Sequence, residues 1–274
     1  MREPMFAGSF YPKAKSELES FIDKALTDAK IEQQPMETAR AFVAPHAGYI
    51  YSGKTAAYSY KAALSSAAAK ADSIIVIGPN HTGLGMPLAV SLDDWRTPLG
   101  IVKNDLPLSK AIIGASGTIS ADESAHADEH SVEVQLPFVQ RTLSVKGACM
   151  ICMGDQSLDA ANVLADAIEK AAAKLGRKIA IVASSDFNHY ESAETAKRKD
   201  EKLLGALKAM NEKAFYSAIG ETSDTACGFG PITVAMLFAK HAGAKKGLLL
   251  DYSNSGDTTH DYSSVVAYAS LAFV

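Results

Sequence analysis

Short apolar runs rich in β-branched residues alternate along this chain with longer amphipathic segments. The clearest runs are RAFVAP (40–45), SIIVIGP (73–79) and KIAIVASS (178–185). Apolar residues at helical spacing predict amphipathic helices over 14–29 and 157–175. Strands that are apolar throughout need cover on both faces, which crossover helices provide in parallel sheets. The pattern therefore predicts an α/β fold with a mainly parallel central sheet, flanked by helices on both faces.

The same alternation continues through the rest of the chain. Further helices are expected at 54–67, 131–143, 191–211 and 231–242. Further strands are expected at 86–92, 99–103, 148–154, 248–253 and 264–274. Pro137 must lie at the start or at a kink of its helix. Because no internal repeat and no linker rich in proline, glycine or serine is found in the 274 residues, we expect residues 1–274 to form a single domain.

The charge balance argues against several classes of partner. Lys and Arg total 27 and Asp and Glu total 31, so the formal net charge is −4. A mildly acidic chain lacks the basic surface that binds nucleic acid or anionic lipid.

The apolar stretches fall short of the roughly 20 residues that cross a bilayer, and the N-terminal sequence lacks the apolar core of a secretory signal. Three cysteines do not make a disulfide framework, so we expect a cytoplasmic protein.

Three of the seven histidines follow predicted strands. His46, His81 and His189 each come within a few residues of the end of one of the clearest apolar runs. Ligands of open α/β sheets bind beyond the carboxyl ends of the strands. If the strands are parallel, the three imidazoles meet at one edge, where Asp186 could ligate an ion or orient a ligand imidazole. A single loop histidine is usually a surface or capping residue, but the repeated placement indicates metal binding or catalysis.

One cysteine is placed differently from the other two. Cys227 comes just before a predicted helix with Pro231 in its first turn. Amide groups at a helix N-terminus favour the thiolate, which ligates metals or attacks electrophiles, although Cys227 could also be a small buried hydrophobic residue. Cys149 and Cys152 form a C-x-x-C inside a predicted strand, where residues three apart point to opposite faces. We expect no functional role for that pair.

The segment DEHSVE (128–133) adds ionisable side chains outside the strand ends. Asp128, Glu129, His130 and Glu133 are candidates for the same pocket, with a charged helix start as the alternative interpretation. His126 is expected to be exposed. His241, near the end of a predicted helix, suits the helix dipole and is expected to be structural. The sequence contains neither a G-x-x-x-x-G-K-[ST] phosphate loop nor a G-x-S-x-G nucleophile elbow.

Eight segments spread over nearly the whole chain form a recognisable set. They are FAGSFYP (6–12), APHAGYIYSG (44–53), IGPNHTG (77–83), WRTPLG (95–100), DEHSVEVQLP (128–137), SSDFNHY (184–190), TACGFGPI (225–232) and YSNSGD (252–257). Together they resemble the Memo family, also described as protein B of the AmmeMemoRadiSam system. The resemblance implies a fold similar to class III (LigB-type) extradiol dioxygenases, which use a nonheme Fe(II) at the end of an α/β sheet.

The resemblance also implies a metal site of two histidines and a cysteine, which fall on His46, His81 and Cys227. It implies that Asp186 and His189 are further pocket residues, with His189 where the dioxygenases place their acid/base histidine. The dioxygenases bind their metal through two histidines and a carboxylate. Because a thiolate is a softer ligand, iron or copper is favoured here with zinc as an alternative, and dioxygenase chemistry does not simply follow from the fold.

Three functions are compatible with these residues. The first is a metal-dependent redox protein, with nonheme-iron dioxygenase-like activity on an unidentified small molecule or peptide. The second is a zinc-type hydrolase, in which the metal acidifies a water molecule. The third is a non-catalytic module that binds a peptide or a partner protein. Since the family often occurs with a radical SAM protein and an Ammecr-type protein, the resemblance implies these as pathway partners.

Overall fold

The computed structural model describes residues 1–31 and 36–274. The strands of these residues are β1 (Ala41–Ala44), β2 (Ser73–Pro79), β3 (Leu88–Val90), β4 (Trp95–Thr97), β5 (Gly100–Val102), β6 (Ser120–Ala121), β7 (Gly147–Met153), β8 (Ile179–Ser184), β9 (His189–Glu191), β10 (Gly247–Asn254) and β11 (Val265–Phe273). The helices are α1 (Lys15–Asp28), α2 (Tyr49–Leu64), α3 (Leu106–Ile113), α4 (Leu136–Thr142), α5 (Leu158–Leu175), α6 (Ala193–Lys208), α7 (Glu212–Thr222), α8 (Phe229–His241) and α9 (Gly256–Thr259).

The main sheet has the strand order β10-β11-β1-β8-β2-β7-β3-β6. Its central strands β1, β8, β2 and β7 run parallel to one another, so their carboxyl ends meet at one edge. The flanking strands β11 and β3 pair antiparallel with β1 and β7. Strand β9 pairs with β11, while β4 and β5 form a separate two-stranded sheet. The expected α/β fold with a mainly parallel central sheet is confirmed, with antiparallel strands added at its flanks.

Both faces of the central strands are buried, which explains their continuous apolar runs. In β2, Ile75 and Ile77 belong to the apolar cluster on one face, and Ile74 and Val76 belong to the cluster on the other. Helices α3, α5, α6, α7 and α8 contribute to the first cluster, and α1, α2 and α4 to the second. Successive side chains of a strand point to opposite faces, so a sheet between two helical layers needs apolar residues at every position.

Capping residues define where several helices begin or end, which the apolar periodicity of the sequence does not locate. Helix α5 begins after Ser157, whose Oγ accepts a hydrogen bond from the N–H of Ala160 (3.2 Å), and it ends at Gly176 in the left-handed conformation. Helices α3 and α7 are additional to the expected elements. They have 8 and 11 residues and begin at the capping side chains Asp105 and Asn211. Their short length explains why the apolar pattern did not reveal them.

The weaker expected elements are shorter than their sequence patterns. The strand expected at 86–92 is reduced to the three residues of β3, and the one expected at 99–103 becomes β5, which pairs with β4 outside the main sheet. The helix expected at 131–143 begins only at Leu136, so that Pro137 falls in its first turn. Among the described residues, no helix is both long enough and apolar enough to cross a membrane.

Candidate metal centre

The loops that follow β1, β8 and β2 meet at the carboxyl edge of the sheet. These three strands are adjacent and parallel. His46 follows β1, His81 follows β2, and His189 opens β9 soon after β8. The ring centroids of His46 and His81 are 5.2 Å apart, in an edge-to-face arrangement. The structure therefore brings histidines that are far apart in the sequence to one edge of the sheet.

His46 is buried, and its hydrogen bonds define which ring nitrogen carries the proton. Nδ1 lies 2.9 Å from Oγ of Ser184. That hydroxyl donates its hydrogen to the carbonyl of Ser131 (2.6 Å), so it accepts from His46. With Nδ1 protonated, Nε2 of the neutral ring presents a lone pair. Burial, with neighbouring His130 and His81, holds the pKa of His46 well below its usual range, which favours this neutral form.

His81 is oriented by a buried carboxylate. Glu129 accepts hydrogen bonds from the backbone N–H of His81 (2.6 Å), from its Nδ1 (2.9 Å) and from the N–H of Ser131 (2.8 Å). Burial alone would raise the pKa of Glu129, but interactions with His81 and Ser131 lower it to about 2. Because an ionised carboxylate only accepts, Nδ1 of His81 is the protonated nitrogen and Nε2 is free to bind an ion. Such carboxylate–histidine pairs commonly orient metal ligands in proteins.

Cys227 approaches His46 from the residue before the N-cap of α8, but its sulfur is not among the ligand atoms of the described residues that all lie within 4.8 Å of one another at this edge. Its Sγ lies 3.1 Å from Nε2 of His46, the nitrogen with the lone pair. The N–H of Asp186 donates to the same sulfur at 3.3 Å. The backbones are in close contact here, since a Cβ on Gly228 would collide with the carbonyl oxygen of Ser184. Burial, with the nearby Asp186 carboxyl adding to it, raises the pKa of the Cys227 thiol, so the thiol keeps its hydrogen in the absence of an ion.

His130 adds a third imidazole to the same place. One potential ligand nitrogen from each of His46, His81 and His130 lies within 4.8 Å of the other two, so the three could hold a metal ion. The His130 ring stacks on His81 with centroids 4.7 Å apart and lies edge-to-face with His46 at 5.2 Å. Burial lowers the pKa of His130 to about 4, so this ring is neutral as well. The structure thus places both Glu129 and His130 at the cluster.

Asp186 and His189 lie just beyond β8, beside the imidazoles. Oδ1 of Asp186 accepts from the backbone N–H groups of His46 (2.7 Å) and Ala47 (3.3 Å), and Oδ2 is 4.0 Å from Nε2 of His46. Burial raises the pKa of Asp186 to about 7. Burial lowers the pKa of His189, and neighbouring His81 lowers it further, whereas backbone hydrogen bonds raise it. The Asp186 carboxyl can therefore change protonation near neutral pH.

The converging groups fit a transition metal better than a hard cation. They are neutral imidazoles and one thiol, whereas Mg²⁺ and Ca²⁺ prefer oxygen ligands. A second set of potential ligands in the described part of the chain, Asp166, Glu169 and His241, is exposed on α5 and α8. There, Nδ1 of His241 is 2.7 Å from the Glu169 carboxylate, an ordinary surface pair. The cluster at the sheet edge is therefore the better candidate for a specific metal site.

The C-x-x-C pair lies in the core and not in a site. Cys149 and Cys152 are fully buried in β7 and belong to different apolar clusters. Residues three apart in a strand face opposite sides of the sheet. Burial raises the pKa of Cys149 to about 12 and raises that of Cys152 as well. Both therefore remain thiols that pack as small apolar residues.

The expectation that His126 is exposed is wrong. Its ring is fully buried against Trp95, edge-to-face with centroids 5.4 Å apart. Burial lowers the pKa of His126 to about 4, so it is a neutral core residue. The N-terminal segment covers this part of the chain, and Nε of Arg2 donates to the carbonyl of His126 (2.8 Å). Because that contact is long-range, the residues around His126 gave no signal of its burial.

Arg2 is a residue near the site that sequence reasoning missed. Its guanidinium donates to the carbonyl of Glu129 (3.0 Å) and forms an ion pair with fully buried Glu133. Glu133 also accepts from the Tyr11 hydroxyl (2.7 Å) and the N–H of Phe6 (2.8 Å). The N-terminal segment thereby holds the loop that carries Glu129. An isolated arginine has no periodicity or spacing that would have identified it.

Comparison with known proteins matches this chain to one family. A family model described as Memo-like protein matches residues 2–272. The chain is 39% identical over 276 residues to a MEMO1 family protein of Methanosarcina mazei, covering 99% of this chain and 98% of that protein. It is 40% identical over 279 residues to a MEMO1 family protein of Nitrosopumilus maritimus, covering 100% of both. It is also 40% identical over 280 residues to one of Aquifex aeolicus, covering 100% and 99%.

Proposed function

The chain belongs to the Memo-like protein family, and from this membership and the site geometry we propose that it binds a redox-active transition metal. Iron or copper is favoured, with zinc as the alternative. The observation that carries the proposal is the 3.1 Å approach of the Cys227 sulfur to Nε2 of His46, beside the imidazole of His81. Imidazole and thiolate are ligands that suit copper, iron and zinc.

Three side chains are proposed to hold the ion. His46 and His81 each keep a proton on Nδ1 through their hydrogen bonds, and so present Nε2 without first losing a proton. Cys227 contributes a negative charge once its proton leaves, and the N–H of Asp186 stabilises the thiolate. A bound iron or copper ion supplies redox chemistry that the side chains at this site lack.

Asp186 and His189 are proposed to move protons beside the ion. Two backbone N–H groups fix the Asp186 carboxyl, which lies 4.0 Å from Nε2 of His46. The N–H of His189 donates to Oγ1 of Thr225 at 2.7 Å, which anchors the turn that carries the imidazole. A general acid or base must reach its proton directly or through one water. Their position beside the cluster supports an oxidoreductase, dioxygenase-like if the ion is nonheme iron.

The substrate is proposed to be a small molecule or a peptide that reaches the imidazoles from solvent. The His81 side chain is 34% exposed and that of His130 is 20% exposed, while His46 is buried. The open side of the cluster therefore lies at His81 and His130. A radical SAM protein and an Ammecr-type protein are proposed as pathway partners in the cytoplasm, on the ground of the family resemblance.

Elemental analysis of protein purified without oxygen tests metal binding. We expect a stoichiometric amount of iron or copper in the wild-type protein, and loss of that metal in His46→Ala and Cys227→Ser. His241→Asn is the matched control, because it removes a histidine from the exposed ligand set on α5 and α8. The metal content of His241→Asn should equal that of the wild type.

Two results would overturn the redox proposal. Stoichiometric zinc that does not change when cells are supplied with iron or copper would favour a zinc-type hydrolase, and assays with ester or amide substrates would follow. If His46→Ala and Cys227→Ser lose the metal but keep partner binding and cellular function, the protein is a non-catalytic binding module.

A further inference from the structure

The cluster at the sheet edge contains one more imidazole than a site of two histidines and a cysteine requires. In the sequence, His130 lies between β6 and α4 and does not follow one of the central strands. Its nitrogen is nonetheless within 4.8 Å of those of His46 and His81. In a tetrahedral site with bonds of about 2.0–2.1 Å, ligand nitrogens are roughly 3.4 Å apart. The three nitrogens are therefore close to the spacing that a single ion requires.

The carboxylate that orients His81 also faces His130. Oε1 of Glu129 is 2.9 Å from Nδ1 of His81 and 3.5 Å from Nδ1 of His130. The carboxylate accepts a hydrogen bond from Nδ1 of His81, whereas its longer approach to His130 is an electrostatic contact. His81 therefore keeps Nε2 as the nitrogen that is available to an ion, and one nitrogen of His130 lies close to it. A carboxylate hydrogen-bonded to an imidazole is an arrangement typical of residues behind metal ligands.

Aromatic side chains hold the His130 ring against the cluster. Phe10 packs on it with centroids 4.7 Å apart, and Phe6 contacts it edge-to-face at 5.6 Å. On the other side the ring stacks on His81. A ring that is already packed loses little conformational freedom when it binds an ion, which favours ligation.

We propose that His130 is a fourth protein ligand, so that three imidazoles and one thiolate hold the ion: His46, His81, His130 and Cys227. The inference rests on the metal binding proposed above and specifies its coordination. Sites with four protein ligands are closed, whereas catalytic sites keep a position open for water or substrate. Four protein ligands would therefore retain an ion more tightly than three.

Cobalt(II) added to the metal-free protein without oxygen reports this coordination. We expect intense visible d–d bands from four-coordinate cobalt, and a sulfur-to-cobalt charge-transfer band from Cys227. In His130→Asn and His130→Phe the charge-transfer band should remain, while the d–d bands should shift because loss of the imidazole changes the ligand field. Affinity should fall roughly tenfold or more. Phenylalanine keeps an aromatic ring packed against Phe6 and Phe10, so His130→Phe separates the loss of the ligand nitrogen from the loss of packing that His130→Asn also causes.

Rescue with free imidazole separates ligation from packing. In His130→Ala, added imidazole should restore the d–d bands, and failure to restore them would count against His130 as a ligand. The proposal is overturned if the His130 variants keep wild-type bands and affinity while Cys227→Ser loses the charge-transfer band. If Cys227→Ser and His46→Ala also leave the cobalt spectrum unchanged, the proposed metal site itself is wrong. His241→Asn should match the wild type throughout.

Discussion

Glu129 is joined to His81 twice, through the backbone N–H at 2.6 Å and through Nδ1 at 2.9 Å. One buried carboxylate thus fixes both the main chain and the ring of a candidate metal ligand. The two residues are 48 positions apart in the sequence, so the contact couples the loop after β2 to the segment before α4. We expect metal affinity to depend on Glu129 although this residue need not contact the ion.

Glu129→Gln should weaken metal binding by roughly 10–100-fold. The amide keeps the size of the side chain but removes the charge that holds the proton on Nδ1 of His81. Competition with a chromophoric chelator, without oxygen, measures the change. Glu123→Gln is the control, because Glu123 accepts from the Ser91 hydroxyl (2.7 Å) and the N–H of Leu92 (2.6 Å). Equal affinities for Glu129→Gln and wild type would show that the carboxylate does not orient the ring.

The histidines at the strand ends show how far the sequence alone leads to this site. Strands such as β2 are buried at every position and mostly apolar because both faces are covered, and this composition identifies parallel central strands. Once these strands are parallel and adjacent, their carboxyl ends meet. His46, His81 and His189 therefore share an edge largely independently of how each loop folds. The residues of the cluster that follow strands were predictable for this reason.

Arg2 and His126 show why other parts of the site could not be predicted. Arg2 contacts the carbonyl of His126 and the carboxylate of Glu133, which are 124 and 131 residues away. These contacts depend on the paths of the N-terminal segment and of the loop before α4. Neither path follows the periods of 2 or 3.6 residues that reveal strands and helices. The burial of His126 is a consequence of the same long-range packing.

Removing one partner of the buried ion pair between Arg2 and Glu133 should destabilise the protein strongly. Glu133 is fully buried, and the Arg2 guanidinium also lies 4.1 Å from the ring centroid of Trp95. Arg2→Met should lower the free energy of unfolding by about 3–5 kcal/mol, because it leaves the Glu133 carboxylate buried without its counter-ion. Chemical denaturation followed by circular dichroism measures this loss.

Arg96→Met is the matched control for the Arg2 variant. Arg96 pairs with Glu3 at 3.2 Å on the surface, where the side chains are 45% and 61% exposed, so its loss should cost less than about 1 kcal/mol. The double variant Arg2→Met/Glu133→Gln should recover part of the stability, because no unpaired carboxylate remains. If Arg2→Met costs no more than Arg96→Met, the buried pair does not hold the N-terminal segment.

Burial of His126 should make the fold sensitive to acid. Burial, with the charge of Arg2 adding to it, lowers the pKa of His126 to about 4 from an ordinary value of 6.5. Between these values the unfolded chain binds a proton that the folded chain does not. The contribution of His126 to stability is therefore complete above about pH 6.5 and falls as the pH drops toward 4, by on the order of 3 kcal/mol.

Unfolding measured in denaturant at several pH values tests this dependence. His126→Phe keeps an aromatic ring against Trp95 and cannot be protonated, so its stability should fall less between pH 7.5 and 4.5 than that of the wild type. The difference should be about 2 kcal/mol. His260→Asn is the control, because His260 is exposed and asparagine tolerates its left-handed conformation. Parallel pH profiles for His126→Phe and wild type would contradict the assignment.

Gly228 sets the distance between the thiol and the imidazoles. Its N–H donates to Oγ of Ser185 (2.9 Å), and a Cβ at Gly228 would collide with the carbonyl oxygen of Ser184 and with Cβ of Ser185. Gly228→Ala should therefore separate the start of α8 from β8 and draw the Cys227 sulfur away from His46. We expect metal affinity to fall roughly tenfold or more, and the metal-free protein to lose about 1–3 kcal/mol of stability.

A glycine without close contacts should respond differently to the same substitution by alanine. Gly205 lies inside α6, and apart from the backbone of its own helix a Cβ there would meet no atom of the described residues within 4 Å. Gly205→Ala should stabilise the protein by about 0.5–1 kcal/mol, because alanine favours the helix interior, and it should leave metal affinity unchanged. Isothermal titration with cobalt(II) and denaturation of both variants make the comparison. If Gly228→Ala behaves like Gly205→Ala in both measurements, the contact between α8 and β8 does not position the sulfur.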